Sequence, residues 1–415
     1  MRGRLDPIAA RDAWRAFLGS RLLVAAAAVF GAAALRAGGA SLHAKHALAH
    51  PFDSWPASGV LDFLLSPLLR WDAHWYIQIA RDGYDPGTVE GIARVGRPAF
   101  FPVYPMLVRL LGGFASTGAA VLAAYAISAA ALLAALYLLH RLVTLELGAP
   151  VARATVLVVA FCPVAWFFSA PYTESLFLLE SVGAIYAART GRWATAGALA
   201  GVASATRNLG VVLLVPLLVI YLYNDRPEAT VGQLLRRLAP ARRPDRSILW
   251  LGLAPVGLIA FSVYLRVAVG DAQAWRRAQI FFGHQGVVNP LEGIRRGAVA
   301  AFHAVEGTLP ADLRFPIVLE FGFLVFAVIA LVAIFRTLPA PYAVYSLAML
   351  VPAVCNPVVD EPLRSLPRYM LVVFPIWMWG ARACERRGVT NAALVASAAA
   401  LAVLTAEFAS WQVLV

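Results

Sequence analysis

The stretch LLRWDAHWYIQIARDGYD, residues 68–85, sets Trp71, Asp72, His74, Trp75, Tyr76, Gln78, Arg81 and Asp82 close together in a chain that is otherwise mostly hydrocarbon. Trp71, Trp75 and Ile79 recur at helical spacing, with Asp72 and Tyr76 on a neighbouring face. Trp and Tyr favour the headgroup level of a bilayer, so the stretch reads as a short helix at a membrane surface. Gly83 can end that helix, and DPG at 85–87 is a turn. RPAFFPVYPML follows, and its prolines at 98, 102 and 105 argue against a continuous helix. An extended arm returning the chain to the membrane is expected there.

Composition supports this setting. Hydrophobic residues make up 61% of 415 positions and charged residues 14%, with a mean hydropathy of +0.72. A soluble domain carries roughly 25% charged residues. The formal net charge of +12 would suit a nucleic acid, but the basic residues lie between apolar runs, as membrane topology requires. No nucleic-acid partner is expected. Lys45 is the only lysine, so almost all of the basic residues are arginine. Cys162 and Cys355 lie inside apolar segments and Cys384 in a basic loop, which provides neither a disulfide framework nor zinc spacing. His43, His46 and His50 have a loose metal-like spacing, with no acidic residue until Asp53. No metal is expected there.

A membrane span needs about 20 apolar residues. Candidates run over 21–38, 117–138, 151–169, 173–188, 248–268, 315–335, 340–356, 367–381 and 391–412. The first follows a basic leader containing Asp6 and Asp12, and reads as an uncleaved signal anchor. The segment 193–222 is too long for one ordinary span, is interrupted by TRNLG, and has basic flanks on both sides. Two short helices turning near Arg207 keep both flanks on one face of the membrane. Short arginine-rich loops stay cytoplasmic, which assigns 1–21, 140–153, 189–193, 223–247 and 382–388 to that side. The expected architecture is one all-α polytopic domain over 1–415, with about eleven passes and a cytoplasmic N-terminus. Three loops, 39–116, 269–314 and 356–368, then lie outside.

Several other polar residues fall near the same outer face. APYTESLF puts Glu174 at the end of a span, Arg207 interrupts a membrane segment, and Arg364 and Arg368 stand at the start of the candidate span 367–381. An ionisable residue within the membrane costs about 2.5–3.5 kcal/mol even on the lenient insertion scale, so such residues are functional candidates. Pairing for stability is the alternative, as is a plain interfacial anchor for the aromatic block. A lipid transporter or flippase would instead need polar groups along a path through the bilayer.

RWDAHWYIQIARDGY, then AFFPVYP, then PYTESLF resemble, in that order, the motifs of the phosphatidylinositol-glycan class V mannosyltransferases, the GPI mannosyltransferase 2 type and its bacterial relatives. The likeness covers roughly residues 65–210, and GDAQAWRRAQ (270–279) and RYMLVVFPIW (368–377) extend it weakly. Where the family pattern runs closer to Arg-Ser-Asn-Gly, this chain has Arg207-Asn208-Leu209-Gly210. The resemblance implies a GT-C glycosyltransferase bundle with a long first outer loop, acting on a polyprenyl-phosphate sugar at the non-cytoplasmic face. It also implies an essential acidic residue in that loop, which the motif matches to Asp72.

On this reading the donor is polyprenyl-phosphate-mannose and the acceptor a cell-envelope glycolipid. Another sugar, such as arabinose or glucose, remains an alternative. The acceptor hydroxyl attacks C1, polyprenyl phosphate leaves, and the anomeric centre inverts. A carboxylate must take the acceptor proton; Asp72 is the first choice, Asp82 and Glu174 the alternatives. Arginine suits the departing phosphate because its planar fork binds phosphate oxygens and stays charged. Arg207 and Arg368 are the candidates, with Arg276 and His284 offered by the second outer loop. Glu174, Tyr172, Trp71, Tyr76 and Asp82 are candidates for holding the acceptor or sugar. This chemistry requires no metal or cofactor.

Overall fold

Apolar runs become helices, and each helix starts or stops where a residue can satisfy or spare its end groups. The computed structural model describes residues 5–37, 60–84, 96–223, 229–236, 240 and 243–410. The histidines 43, 46 and 50 lie outside them. Helices α1 (Pro7–Ala37), α2 (Ala73–Asp82) and α3 (Val103–Val108) lead to the long α4 (Thr117–Leu147). Next come α5 (Ala149–Ala160), α6 (Glu174–Arg189), α7 (Trp193–Thr206) and α8 (Leu214–Tyr223). The second half holds α9 (Val256–Ala268), α10 (Ala274–Phe281), α11 (Pro290–Glu306) and α12 (Ala311–Thr337). It ends with α13 (Ala340–Cys355), α14 (Leu366–Leu371), α15 (Phe374–Arg387) and α16 (Thr390–Ala409). Among the described residues no strand forms; a single bridge joins His284 to Val358.

Local chemistry sets these ends. Asp6 accepts from the amides of Ile8 and Ala9 at 3.0 and 3.2 Å, with Pro7 opening α1. Ser116 caps α4 by accepting from the Ala119 amide at 3.1 Å, and Gly148 ends it at φ +88°.

The protein is an integral membrane bundle, but eleven passes are not confirmed. Among the described residues four helices are long and apolar enough to cross a bilayer: Pro7–Ala34, Thr117–Leu147, Ala311–Thr337 and Thr390–Ala409. A fifth crossing is available from Arg246–Leu253 with Val256–Ala268, bent by 42°. The other apolar helices are short. The 16 residues of α6, at 1.5 Å each, span about 24 Å, less than the ~30 Å hydrocarbon core. Sequence counts apolar residues, whereas crossing length depends on where the helix breaks.

The expected break near Arg207 is present. Helix α7 stops at Thr206, Arg207 is extended (φ −151°, ψ 144°), and a 3-10 turn over Asn208–Leu213 leads into α8. Gly210 presses on α7 so closely that a Cβ there would lie 2.1 Å from the Ala203 carbonyl carbon. Only glycine allows that reversal, which accounts for the retained Gly210 of the motif.

The arm at 97–113 corrects its expectation. It forms a 3-10 turn at Arg97–Ala99, then α3, then a π-helical turn at Arg109–Gly113. Pro98 lies in the opening of the first turn, Pro102 at the N-cap of α3 and Pro105 in its first turn. Amides at those positions have no intrahelical acceptor, so proline removes nothing.

Helix α2 runs as expected to Gly83, but its aromatic face meets protein rather than lipid. Trp75 and Tyr76 are buried. Trp75 stacks on Phe100 at 5.6 Å between centroids, and Tyr76 meets Tyr104 edge-on at 5.3 Å. The block is therefore packed core of this region, which argues against a simple headgroup anchor.

Contacts gather the arginine-rich flanks at one end of the bundle. Arg141 pairs with Asp6 at 3.6 Å, Arg189 with Glu146 at 2.5 Å, the Ala340 amide bonds the Ala229 carbonyl, and Arg382 bonds the Thr337 carbonyl at 2.8 Å. The start of α6 and the close of α7 lie at the opposite end, beside the N-terminus of α2.

Candidate active site

Four charged side chains from four separated segments meet at that opposite end. Asp72 stands at the N-cap of α2, Glu174 opens α6, Arg207 follows α7, and Arg368 sits in α14. Arg368 Nη1 donates to Asp72 Oδ2 at 2.5 Å, and its Nε donates to Glu174 Oε1. Arg207 Nη1 donates to the same Glu174 oxygen at 2.7 Å. Two carboxylates and two guanidiniums balance, which burial demands because an unpaired charge in this setting is costly. The N-terminus of α6 adds a favourable partial charge for Glu174.

Burial grades the four. Side-chain exposure is 0% for Glu174, 8% for Arg368, 12% for Arg207 and 25% for Asp72. Asp72 is thus the carboxylate a substrate can reach, and among the described residues nothing donates to its Oδ1. Glu174 Oε2 is buried with no partner among them. Arg207 Nε and Nη2, and Arg368 Nη2, make no hydrogen bond among the described residues.

Aromatic faces hold the guanidiniums in place. Arg368 lies 4.5 Å from the Tyr172 ring centroid and 5.5 Å from Phe167; Arg207 lies 5.2 Å from Tyr369 and 5.8 Å from Phe177. Tyr172 also fixes the backbone of the motif, because its hydroxyl accepts from the Asp72 amide at 3.2 Å and donates to the Arg70 carbonyl at 2.9 Å. The Tyr76 hydroxyl is 3.5 Å from Thr173 Oγ1. Burial above all pushes its phenol up to about 12, so it stays protonated at neutral pH.

Backbone strain marks the same place. Trp71 (φ 51°) and Ser365 (φ 66°) are the only non-glycine residues with positive φ among those described. Trp71 adjoins Asp72, and Ser365 precedes the helix that carries Arg368. Such conformations cost about 1–3 kcal/mol each and persist only where the surroundings enforce them.

The remaining candidates fall elsewhere. Asp82 closes the far end of α2, where Arg97 Nη2 meets it at 3.2 Å and its side chain is 45% exposed. Arg276 is exposed on α10 and makes no contact with the four charged groups. His284 hydrogen-bonds the Asn356 carbonyl at 2.8 Å and ties loop 283–288 to 355–359. Burial lowers its imidazole below the usual range. Among the described residues no group of three or more His, Cys, Asp or Glu is placed to hold a metal ion.

Sequence reasoning missed the aromatic supports. Phe177 sits one helical turn after Glu174 in ESLF, and Tyr369 adjoins Arg368, so local spacing offered a signal for both. Phe167 carries none, because only the tertiary fold brings it to Arg368.

Residues 38–223 match the model of a family described as Mannosyltransferase (PIG-V). That span contains Asp72, Tyr172, Glu174 and Arg207, whereas Arg368 lies beyond it. No curated protein matches. Among solved structures the chain is similar to an oligosaccharyltransferase from Archaeoglobus fulgidus, solved in complex with zinc and sulfate, at 12% identity and a TM-score of 0.44. The likeness covers 81% of this chain and 48% of that one, so this chain spans about half the length of that protein.

Proposed function

We propose that the protein transfers mannose from polyprenyl-phosphate-mannose to a cell-envelope glycolipid at the non-cytoplasmic face, with Asp72 as general base and inversion at the anomeric carbon. One observation carries this reading: two arginines held on one edge by a buried glutamate keep N–H donors unused among the described residues, beside the most accessible carboxylate of the group. That is the donor set a phosphate needs next to the acceptor a hydroxyl needs.

In this reaction the acceptor oxygen attacks C1 of the sugar. The C1–O bond to phosphate breaks, its electron pair leaves on polyprenyl phosphate, and the acceptor proton passes to Asp72. Arg207 and Arg368 stabilise the charge growing on the leaving phosphate, so no metal or cofactor is called for. Glu174 is too buried to meet an acceptor and instead orients the two guanidiniums. Asp82 stands ten residues further along, occupied by Arg97. The gathering of arginine-rich segments at the opposite end supports a cytoplasmic location for that end, and for the N-terminus, by the positive-inside rule.

The test uses purified wild type and Asp72→Asn with radiolabelled polyprenyl-phosphate-mannose and a total lipid extract of the source cells. Label should enter a new glycolipid with wild type and not with the folded variant. Equal transfer by both proteins would remove Asp72 from the base role. A wild type that uses a glucose or arabinose donor in place of mannose would move the assignment to that sugar.

A further inference from the structure

Helix α6 carries a second acid that the charged group around Asp72 does not use. Glu180 follows Glu174 about 9 Å further along the helix axis and is only 2% exposed. Its Oε2 is buried with no hydrogen-bond partner among the described residues. A carboxyl in an apolar bundle is costly, and leucine would fill the same place without that cost. One contact sets Glu180 apart. The Thr206 hydroxyl donates to its Oε1 at 2.8 Å, and both side chains are buried.

Thr206 is where α7 ends. The next residue, Arg207, leaves the helix in extended backbone. Its amide still bonds the Ala203 carbonyl at 2.9 Å, and its carbonyl receives the Gly210 amide at 2.8 Å. Its guanidinium reaches Glu174 at 2.7 Å. Helix α6 therefore grips the end of α7 at two levels. Glu180 takes the hydroxyl of the last helical residue, and Glu174 takes the guanidinium of the first residue beyond it. The Thr206 hydroxyl also lies 3.0 Å from the Val202 carbonyl, but that bond stays within α7 and does not set its place on α6. A single peptide joins Thr206 to Arg207, so a shift of one moves the other.

The geometry points to Glu180 as a positioning residue: by accepting from Thr206 it fixes the level at which α7 ends on α6, and so delivers the Arg207 guanidinium to Glu174. Its kinetic consequence rests on the transferase reading, whereas the anchor itself does not. The bond needs only an acceptor oxygen, which either protonation state of the carboxyl and a glutamine amide all supply. Glu180→Gln therefore keeps the anchor. Glu180→Leu removes its acceptor, and Thr206→Val removes its donor with little change of shape.

Hydrogen exchange over residues 203–213 of the full-length protein in detergent, read by mass spectrometry, tests the anchor. Exchange should be about fivefold faster in Glu180→Leu and in Thr206→Val, and within about twofold of wild type in Glu180→Gln. Where wild type transfers sugar, kcat should fall about fivefold to tenfold in both Glu180→Leu and Thr206→Val. It should fall no further in the double variant, because the two changes remove one bond. The KM for acceptor should stay within about twofold. A merely structural glutamate would lower the melting midpoint and leave the kcat of the folded protein unchanged, which would overturn the proposal. So would losses that multiply in the double variant, or Glu180→Gln exchanging as fast as Glu180→Leu. Thr206→Val exchanging like wild type would overturn it too, and that arm stands even if Glu180→Leu does not fold. Faster exchange in Thr206→Val without any transfer by wild type would uphold the anchor and sink the transferase reading. Normal transfer by wild type with unchanged exchange in Thr206→Val would do the reverse.

Discussion

Replacing each carboxylate of the charged group by its amide should separate its two roles. Glu174 is fully buried, and one of its oxygens serves both arginines. In Glu174→Gln two buried guanidiniums are left with Asp72 as their only counter-charge among the described residues. Breaking a buried ion pair costs about 3–5 kcal/mol, a large part of a typical total stability of roughly 5–15 kcal/mol. At about 2 °C per kcal/mol for a large chain, the midpoint of thermal unfolding should drop by roughly 5–10 °C. Asp72 is one-quarter exposed and meets a single arginine, and an asparagine oxygen can still accept from Arg368. Asp72→Asn should therefore cost only about 1 kcal/mol, yet lose roughly 10²–10⁴-fold in transfer as the base disappears. The two variants are purified in detergent, melted by size-exclusion detection, and assayed with radiolabelled donor. If Asp72→Asn melts as early as Glu174→Gln, Asp72 is a structural partner and the division of roles fails. A Glu174→Gln midpoint equal to wild type would refute the burial argument itself.

Arg368→Lys should lose roughly 10²-fold or more in transfer, because one ammonium cannot replace a planar fork that reaches Asp72 and Glu174 together; an unchanged rate would remove Arg368 from the phosphate role. Gly210→Ala should yield little folded protein, since its Cβ would collide with the Ala203 backbone and displace Arg207; a normal melting profile would show that the turn can open. His284 has a folded pKa below its ordinary 6.5, so the unfolded chain binds the extra proton first as pH falls. Its contribution to stability is full above about 6.5 and declines from there down through the lowered folded value. The wild-type midpoint should thus fall more between pH 7.5 and 5.5 than that of His284→Gln; parallel falls would contradict the burial of this imidazole.

Much of this was readable along the chain, and the parts that were not fail for physical reasons. The break at Arg207 followed from a charged residue inside an apolar run flanked by arginines. The start of α2 and its stop at Gly83 followed from aromatic spacing and glycine. The turns at Pro98, Pro102 and Pro105 did not, because proline forbids the interior of a helix and suits its first turn, and residue type alone does not say which applies. Aromatic spacing suits the headgroup level of a bilayer, yet Trp75 and Tyr76 pack on Phe100 and Tyr104. Lipid tails and protein core are equally apolar, so a hydrophobic face does not name its partner.

The amino-acid sequence by itself determined that this is an all-helical membrane protein with a chemically dense block around Asp72, because hydropathy and local spacing are properties of neighbours along the chain. It also marked Glu174, Arg207 and Arg368 as polar groups in costly places. Only the tertiary structure decided that they meet. Asp72 and Arg368 are 296 positions apart, and packing leaves the Glu174 side chain no exposure while Asp72 keeps a quarter of its own. Burial and charge pairing across such separations depend on how helices are laid side by side, which no local pattern records.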